Sequence, residues 1–141
     1  MIEAAVVDAS VAVKWVVQEV ASDRAGSLAQ GRLEAPDLLL VECANILWKK
    51  VGLGDLTEHD AVARLDVLLG APVVLAASHE LLESALRLSS NLRHPVYGCL
   101  YLALALKRGL PLVTADERLA GIARKKRKVA AYVMLLKDLP D

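Results

Sequence analysis

IEAAVVDASVAVKW, residues 2–15, sets an apolar, β-branched run directly before Asp8 and a helical pattern directly after it. A run of that kind, Ile2 to Val7, reads as a strand buried on both faces, and Asp8 then stands at its carboxyl end, facing a helix that begins near Ser10. Further strands are expected at Val73–Leu75 and Leu110–Val113, with a fourth at Val129–Met134 and a short extended piece at Glu34–Pro36. Between them, Leu38, Val41, Ala44, Leu47, Trp48 and Val51 recur at helical spacing until Gly52 and Gly54 end the pattern. Other helices are expected near Ser10–Val17, Ser22–Gln30, Glu58–Leu69, His79–Ser90, Val96–Arg108 and Glu117–Lys125. Helices alternating with fully apolar strands predict an α/β fold around a parallel sheet, and residues 1–141 read as a single unit without linker or repeat. In such sheets the ligand crevice lies beyond the carboxyl ends of the strands.

Composition narrows the function. Of 141 residues, Leu, Ala and Val supply 27, 22 and 17, enough for one substantial aliphatic core. Aromatic residues make up 4% and Phe is absent, which disfavours recognition of nucleic acid through stacked bases. The formal net charge is zero, but Arg124, Lys125, Lys126, Arg127 and Lys128 are consecutive. Outside that run twelve basic residues face seventeen acidic ones, so neutrality conceals an acidic body with a basic patch. No apolar stretch is long enough to span a bilayer, and the N-terminus lacks a signal-peptide pattern, so a cytoplasmic protein is expected. Cys43 and Cys99 have no metal-ligand spacing and read as small buried apolar residues. His59, His79 and His94 likewise share no ligand spacing and read as surface or turn residues.

Three acids interrupt the apolar pattern. Asp8 has a structural explanation as a helix cap. Asp116 follows Leu112 and Val113 in the equivalent place; there Thr114 and Glu117 form a T-x-x-E capping box that leaves Asp116 unexplained. Glu42 lies in Leu38–Ile46, where every other residue except Asn45 is apolar; it is either part of a polar helix stripe with Asn45 and Lys49 or a buried carboxylate in need of a partner. Brought to one crevice, Asp8, Glu42 and Asp116 would form a cluster that needs a cation to stay charged. Oxygen ligands of this kind suit Mg²⁺ or Mn²⁺, and the chemistry that follows is phosphodiester hydrolysis by water whose pKa the ion has lowered.

VVDASVAVKW (6–15), PDLLLVECANILWKK (36–50) and HPVYGCLYLALALKRGLPLVTAD (94–116), in this order and spacing, resemble the PIN-domain ribonucleases, and among them the VapC-type toxins of toxin-antitoxin modules. The resemblance covers nearly the whole chain, least distinctively over Asp55–Ser90. It implies a three-layer fold with a central parallel sheet of about five strands flanked by helices. It also implies Mg²⁺ or Mn²⁺ dependence, an RNA substrate, a homodimer and a VapB-type antitoxin that inserts a basic side chain into the acidic pocket. The family's acidic positions fall on Asp8, Glu42 and Asp116, and its supporting polar positions on Ser10, Asn45 and Thr114.

One position departs from the family pattern. Where the motif usually reads Y-D-x-x-Y-L-A-L-A, Tyr97 is followed here by Gly98, so one carboxylate is missing and the ligand charge falls from −4 to −3. Gly inside a helix costs up to about 1 kcal/mol, so its structural explanation would be a cap after His94 and Pro95. Ion binding can survive such a loss because Mg²⁺ keeps several waters. Catalysis is more fragile, since displacing an attacking water by about 1 Å can cost on the order of 100-fold. The expectation is an impaired nuclease that Gly98→Asp would improve, or else a non-catalytic PIN-like protein that binds RNA or antitoxin.

The basic run Arg124–Lys128 reads either as a solvated helix end or as a rim of phosphate contacts beside the pocket. Lys14, in the V-K-W segment, points either to the pocket or to the surface. A receiver-like signalling domain is disfavoured because Val73–Ala77 supplies no phosphorylatable Asp, and a dinucleotide-binding enzyme because no G-x-G-x-x-G follows Val7.

Overall fold

The computed structural model describes residues 2–140; Met1 and Asp141, the ends of the expected 1–141 unit, lie outside the described residues. Its strands are β1 (Ala4–Val7), β2 (Arg32–Pro36), β3 (Val73–Ala76), β4 (Leu112–Thr114) and β5 (Val133–Leu135). Its helices are α1 (Ala9–Ala12), α2 (Ser22–Leu28), α3 (Leu38–Gly52), α4 (Glu58–Leu69), α5 (Leu82–Leu92), α6 (Val96–Arg108), α7 (Glu117–Arg124) and α8 (Arg127–Ala130). All strand pairs are parallel, in the order β3-β2-β1-β4-β5. The expected α/β fold with a five-stranded parallel sheet is therefore present.

Both faces of the sheet are covered, which explains why its central strand β1 is apolar throughout. In β1, Val6 packs into one cluster with α3 and α6, while Ala5 and Val7 pack into the other with α2. Leu112 and Val113 of β4 divide between the same two clusters. Helix α6 is the most enclosed, with Cys99 to Ala105 all buried.

The chain lays β2 and β3 on one side of β1, then returns to place β4 and β5 on the other. The switch point therefore falls between β1 and β4, and the crevice beyond their carboxyl ends is the place for a ligand. Val7 pairs with Val113, which sets Asp8 beside Thr114 at the mouth of that crevice.

Element boundaries differ from the expected ones for local reasons. The strand expected at Leu110–Val113 starts at Leu112, because Gly109 turns the chain in a left-handed conformation and Pro111 has no N–H for a ladder. The stretch Val129–Met134 divides: Val129 and Ala130 finish α8, and only Val133 onward pairs with β4. The helix expected over Ser10–Val17 tightens after Ala12 into a 3₁₀ turn, Val13–Trp15, where β-branched valines crowd an α-helix.

Candidate metal and phosphate site

Asp8, Glu42 and Asp116 line one cleft of about 700 Å³, together with Ser10, Asn45, Lys49, His94, Tyr101 and Arg118. Each acid arrives by a different route. Asp8 ends β1 and caps α1, its Oδ1 accepting from the Val11 N–H at 3.3 Å. Asp116 caps α7, its Oδ1 accepting from the N–H groups of Arg118 at 2.9 Å and Leu119 at 3.2 Å. Glu42 projects from α3 and accepts from the Tyr101 hydroxyl of α6 at 2.5 Å.

Two hydroxyls lock the first and last of these acids together. Ser10 donates to Asp8 Oδ1 at 2.5 Å while its oxygen accepts from the Ala115 N–H at 2.9 Å. Thr114 donates to Asp8 Oδ2 while accepting from the Asp116 N–H at 2.9 Å. An ionised carboxylate only accepts, so each hydroxyl gives its proton to Asp8 while one of its lone pairs takes a backbone N–H. The turn carrying Asp116 is thereby fixed against Asp8. Thr114 is consequently not a capping-box partner of Glu117: Asp116 is the cap, and Glu117 pairs with Lys137 on the surface.

The electrostatics are those of a site short of positive charge. Burial raises the pKa of Asp8, against the lowering effect of its hydrogen bonds, and Asp116 raises it further. Burial also raises Glu42, with a contribution from Asp8. Burial and the neighbouring Glu42 carboxylate push the Tyr101 phenol up, so it stays a hydrogen-bond donor. The Cys43 thiol is pushed up to about 12, chiefly by burial, and Cys99 to about 11; neither is a nucleophile, and both are buried as expected.

A divalent ion fits the chemistry of this donor set, which is all oxygen and acidic. Glu42 and Asp116 each keep one carboxylate oxygen without a donor among the described residues. Among the described residues, however, no three His, Cys, Asp or Glu side chains converge closely enough to cage an ion. Most of the ion's shell would therefore be water, which Mg²⁺ tolerates.

Other expected roles resolve differently. Glu42 is partnered by Tyr101 and not by Lys49, which lines the cleft without an ion pair. Asn45 lines the cleft but hydrogen-bonds none of the three acids. Lys14 turns away to Glu19 at 3.1 Å, and Glu19 also meets Lys50 at 3.2 Å. Arg124 to Lys128 contribute nothing to the cleft lining. They lie at the far end of α7 from Asp116, about 12 Å away along an eight-residue helix, with Arg124 paired to Asp138 at 3.6 Å. The cations at the cleft are Arg118 and Lys49 instead. For Arg118 the signal was its place two residues after Asp116, in the first turn of a strand-end helix.

Gly98 and His94 correct two expectations. Gly98 is no cap, because α6 starts at Val96 after Pro95 and Gly98 has no left-handed backbone. His94 is no surface residue, being 7% exposed and lining the cleft. The two belong together: a Cβ on residue 98 would lie 2.6 Å from His94 Nε2 and 2.9 Å from its Cδ2. A larger residue at 98 fits only if the imidazole ring shifts, a relation the sequence alone does not disclose. His59 and His79 are exposed, as expected.

Comparison with known proteins agrees with this architecture. The family model described as PIN domain matches residues 5–125. Ribonuclease VapC3 of Pyrobaculum aerophilum is 38% identical over 120 residues, covering 82% of this chain and 91% of the relative. Ribonuclease VapC1 of Mycobacterium tuberculosis is 34% identical over 97 residues, covering 67% and 71%. Among solved structures, PAE2754 of Pyrobaculum aerophilum superposes with a TM-score of 0.70 at 22% identity, over 96% of this chain and 90% of that one. VapC20 of Mycobacterium tuberculosis, described as a sarcin-ricin loop cleaving toxin, has a TM-score of 0.60 at 19% identity, over 82% of this chain and 94% of that one. With the strand order, the strand-end acids and a family match over most of its length in agreement, the chain belongs to the PIN domain family.

Proposed function

We propose that this chain is a metal-dependent endoribonuclease toxin of the VapC type, working in the cytoplasm on an RNA phosphodiester and held in check by a VapB-type antitoxin. The observation that carries the reading is the cleft itself: Asp8, Glu42 and Asp116 share it, and among the described residues no cation pairs with Asp8 or Glu42. Carboxylates among Asp8, Glu42 and Asp116 would hold Mg²⁺ or Mn²⁺, in part through water. When bound, the ion offsets charge on the phosphate and lowers the pKa of a water.

The chain's own residues do the rest. Ser10 and Thr114 spend their protons on Asp8 and orient its carboxylate, and Tyr101 does the same for Glu42. Arg118 and Lys49 stand where they can meet phosphate oxygens, which positions RNA without reading its sequence. The basic run Arg124–Lys128, outside the cleft, adds long-range attraction for the polyanion. An antitoxin cation entering the same cleft would compete with the ion for these carboxylates. Homodimerisation is supported by the exposed apolar side chains of the edge strand β3, where Val74 is 57% and Leu75 41% exposed.

Gly98 supports a second reading, in which the chain binds RNA or antitoxin without cutting, because the position supplies no carboxylate. Incubating the chain with cellular RNA and either Mg²⁺, Mn²⁺ or a chelator separates the two. Cleavage that requires the ion and disappears in Asp8→Asn is the expected result; retention of RNA without ion-dependent cleavage would leave the binding protein.

A further inference from the structure

We infer that His94 is an RNA-contacting residue: with no side chain on Gly98, the Nε2–H of its ring is open to the cleft and donates to a phosphate oxygen of the RNA backbone beside Arg118. The inference rests on the reading of the cleft as an RNA site and names a contact within it. Three observations carry it. First, His94 and Gly98 line the cleft together. A Cβ on residue 98 would lie 2.6 Å from Nε2 and 2.9 Å from Cδ2, so any other residue would cover that edge of the ring or push it aside. With glycine the edge is bare: Nε2 has no hydrogen-bond partner among the described residues and, unlike Nδ1, is not shut off from solvent.

Second, the enclosed nitrogen decides where the proton sits. Nδ1 is buried without a partner. A neutral imidazole carries one N–H and one acceptor nitrogen, whereas an imidazolium carries two N–H groups. A buried N–H without an acceptor is the rarer and costlier orphan, so the ring is neutral with its proton on Nε2. Burial lowers the His94 pKa in agreement with this, Asp116 opposing and Arg118 adding to the lowering. The backbone fixes where the ring starts: the His94 carbonyl accepts from the Ser89 hydroxyl and from Cys99 Sγ at 3.7 Å, and its N–H donates to the Ser89 carbonyl at 3.3 Å.

Third, the surroundings suit a phosphate. The charged neighbours of His94 are Asp116 and Arg118, and the Arg118 guanidinium has no carboxylate partner among the described residues. Arg118 supplies the charge that an anion needs to enter an acidic cleft. A neutral N–H adds a directed hydrogen bond without adding a second cation for the acids to capture. A carboxylate on residue 98 would repel the same phosphate oxygen, so glycine exchanges an acid for a donor at this edge of the cleft.

The test uses the full chain carrying Asp8→Asn, which keeps RNA intact, and a short single-stranded RNA oligonucleotide of mixed sequence in Mg²⁺. Imidazole ¹⁵N–¹H spectra should place the His94 proton on Nε2 in the free chain and show the Nε2 resonance moving as RNA saturates, a readout that needs no change at His94. His94→Leu should weaken RNA binding by about tenfold, as loss of a hydrogen bond to a charged group does, while His94→Gln, which keeps an N–H at similar reach, should stay within about threefold. Gly98→Ala should weaken binding several-fold by displacing the ring and have no further effect in His94→Leu, because the two changes remove one contact. A proton on Nδ1, an Nε2 resonance that RNA leaves unmoved, or losses from Gly98→Ala and His94→Leu that simply add would overturn the role of His94, and ion-dependent cleavage by the unmodified chain would then leave the nuclease reading standing. Absence of saturable RNA binding together with absence of cleavage would overturn the RNA reading of the cleft and this inference with it.

Discussion

Glu34 and Asp8 stand on or at the end of neighbouring strands and are almost equally buried, at 9% and 8% exposed, yet they are held in opposite ways. Glu34, paired in register with Val6, meets the Arg108 guanidinium at 2.9 Å. Asp8 has hydroxyl and amide donors and, among the described residues, no cation paired with it. A buried carboxylate with its own arginine is a finished structural element. One that is oriented by neutral donors, with a second carboxylate nearby, is costly to ionise and is poised for a cation from solution. Burial by itself therefore does not mark the functional acid; the missing counter-charge does.

The widest separation between the two should come from their amides. Asp8→Asn is expected to lower RNA cleavage by about 100-fold or more, given the several kcal/mol that an ion contributes at such a site, with an unchanged or higher melting temperature because an uncompensated charge is gone. Glu34→Gln should do the reverse, leaving cleavage per folded molecule intact while reducing stability. Its cost should be about 1–2 kcal/mol, below the ~3–5 of a fully enclosed pair, since the half-exposed Arg108 can turn to water. A denaturant titration and a cleavage assay on both variants decide the matter; equal behaviour would break the contrast.

Restoring the acid sharpens the comparison next. Gly98→Asp alone forces its Cβ against the His94 ring and should cost about 1–3 kcal/mol of stability with little gain in cleavage. Combining it with His94→Ala should raise cleavage above that of Gly98→Asp by on the order of tenfold, in line with the sensitivity of catalysis to small displacements. A large gain from Gly98→Asp by itself would mean that the ring moves aside freely.

Smaller effects come from the basic residues. Arg118→Gln should weaken RNA binding several-fold and lower cleavage. Replacing Lys125, Lys126 and Lys128 by Gln should flatten the salt dependence of binding, by about 0.7 per lost phosphate contact, without affecting cleavage of bound RNA. Affinity measured across a salt series distinguishes the two sets.

The smallest expected effect lies outside the cleft. Burial opposes ionisation of Glu19, but its pairs with Lys14 and Lys50 prevail and hold its carboxyl below the ordinary range. A depressed pKa contributes stability above the unfolded value and loses it as pH falls through the folded one. Glu19→Gln should therefore cost about 0.5–1 kcal/mol at pH 7, as partly exposed pairs do, and nothing once the carboxyl is protonated. Asp8, with its pKa raised, has the opposite sign: in the absence of an ion its ionisation opposes folding, and the penalty disappears on acidification. Denaturant titrations of Glu19→Gln and the unmodified chain at neutral and acid pH would reveal the first effect.

Much of this was legible in the chain. The apolar run ending at Asp8, and Leu112 and Val113 followed by Asp116, placed two acids at strand ends, because a run apolar on both faces marks a covered strand and the first acid after it marks where the strand ends. Glu42 stood out inside an apolar helix for the same reason. Contacts between residues distant in sequence were not legible. Thr114 looked like half of a capping box, and only the pairing of Val7 with Val113 turns its hydroxyl to Asp8. Tyr101 had no role assigned from the sequence, because its 59-residue separation from Glu42 hid the hydrogen bond.

Residue order alone determined the alternation of helices and apolar strands and the places of Asp8, Glu42 and Asp116, because periodicity and local spacing are properties of the chain; the gap at Gly98 showed only through the resemblance to the PIN-domain motif. Tertiary structure decided which charges are neutralised, that the run Arg124–Lys128 lies outside the cleft while Arg118 lies in it, and that the His94 ring fills the space Gly98 leaves. Counter-charge and void are relations between distant segments, and only packing sets them.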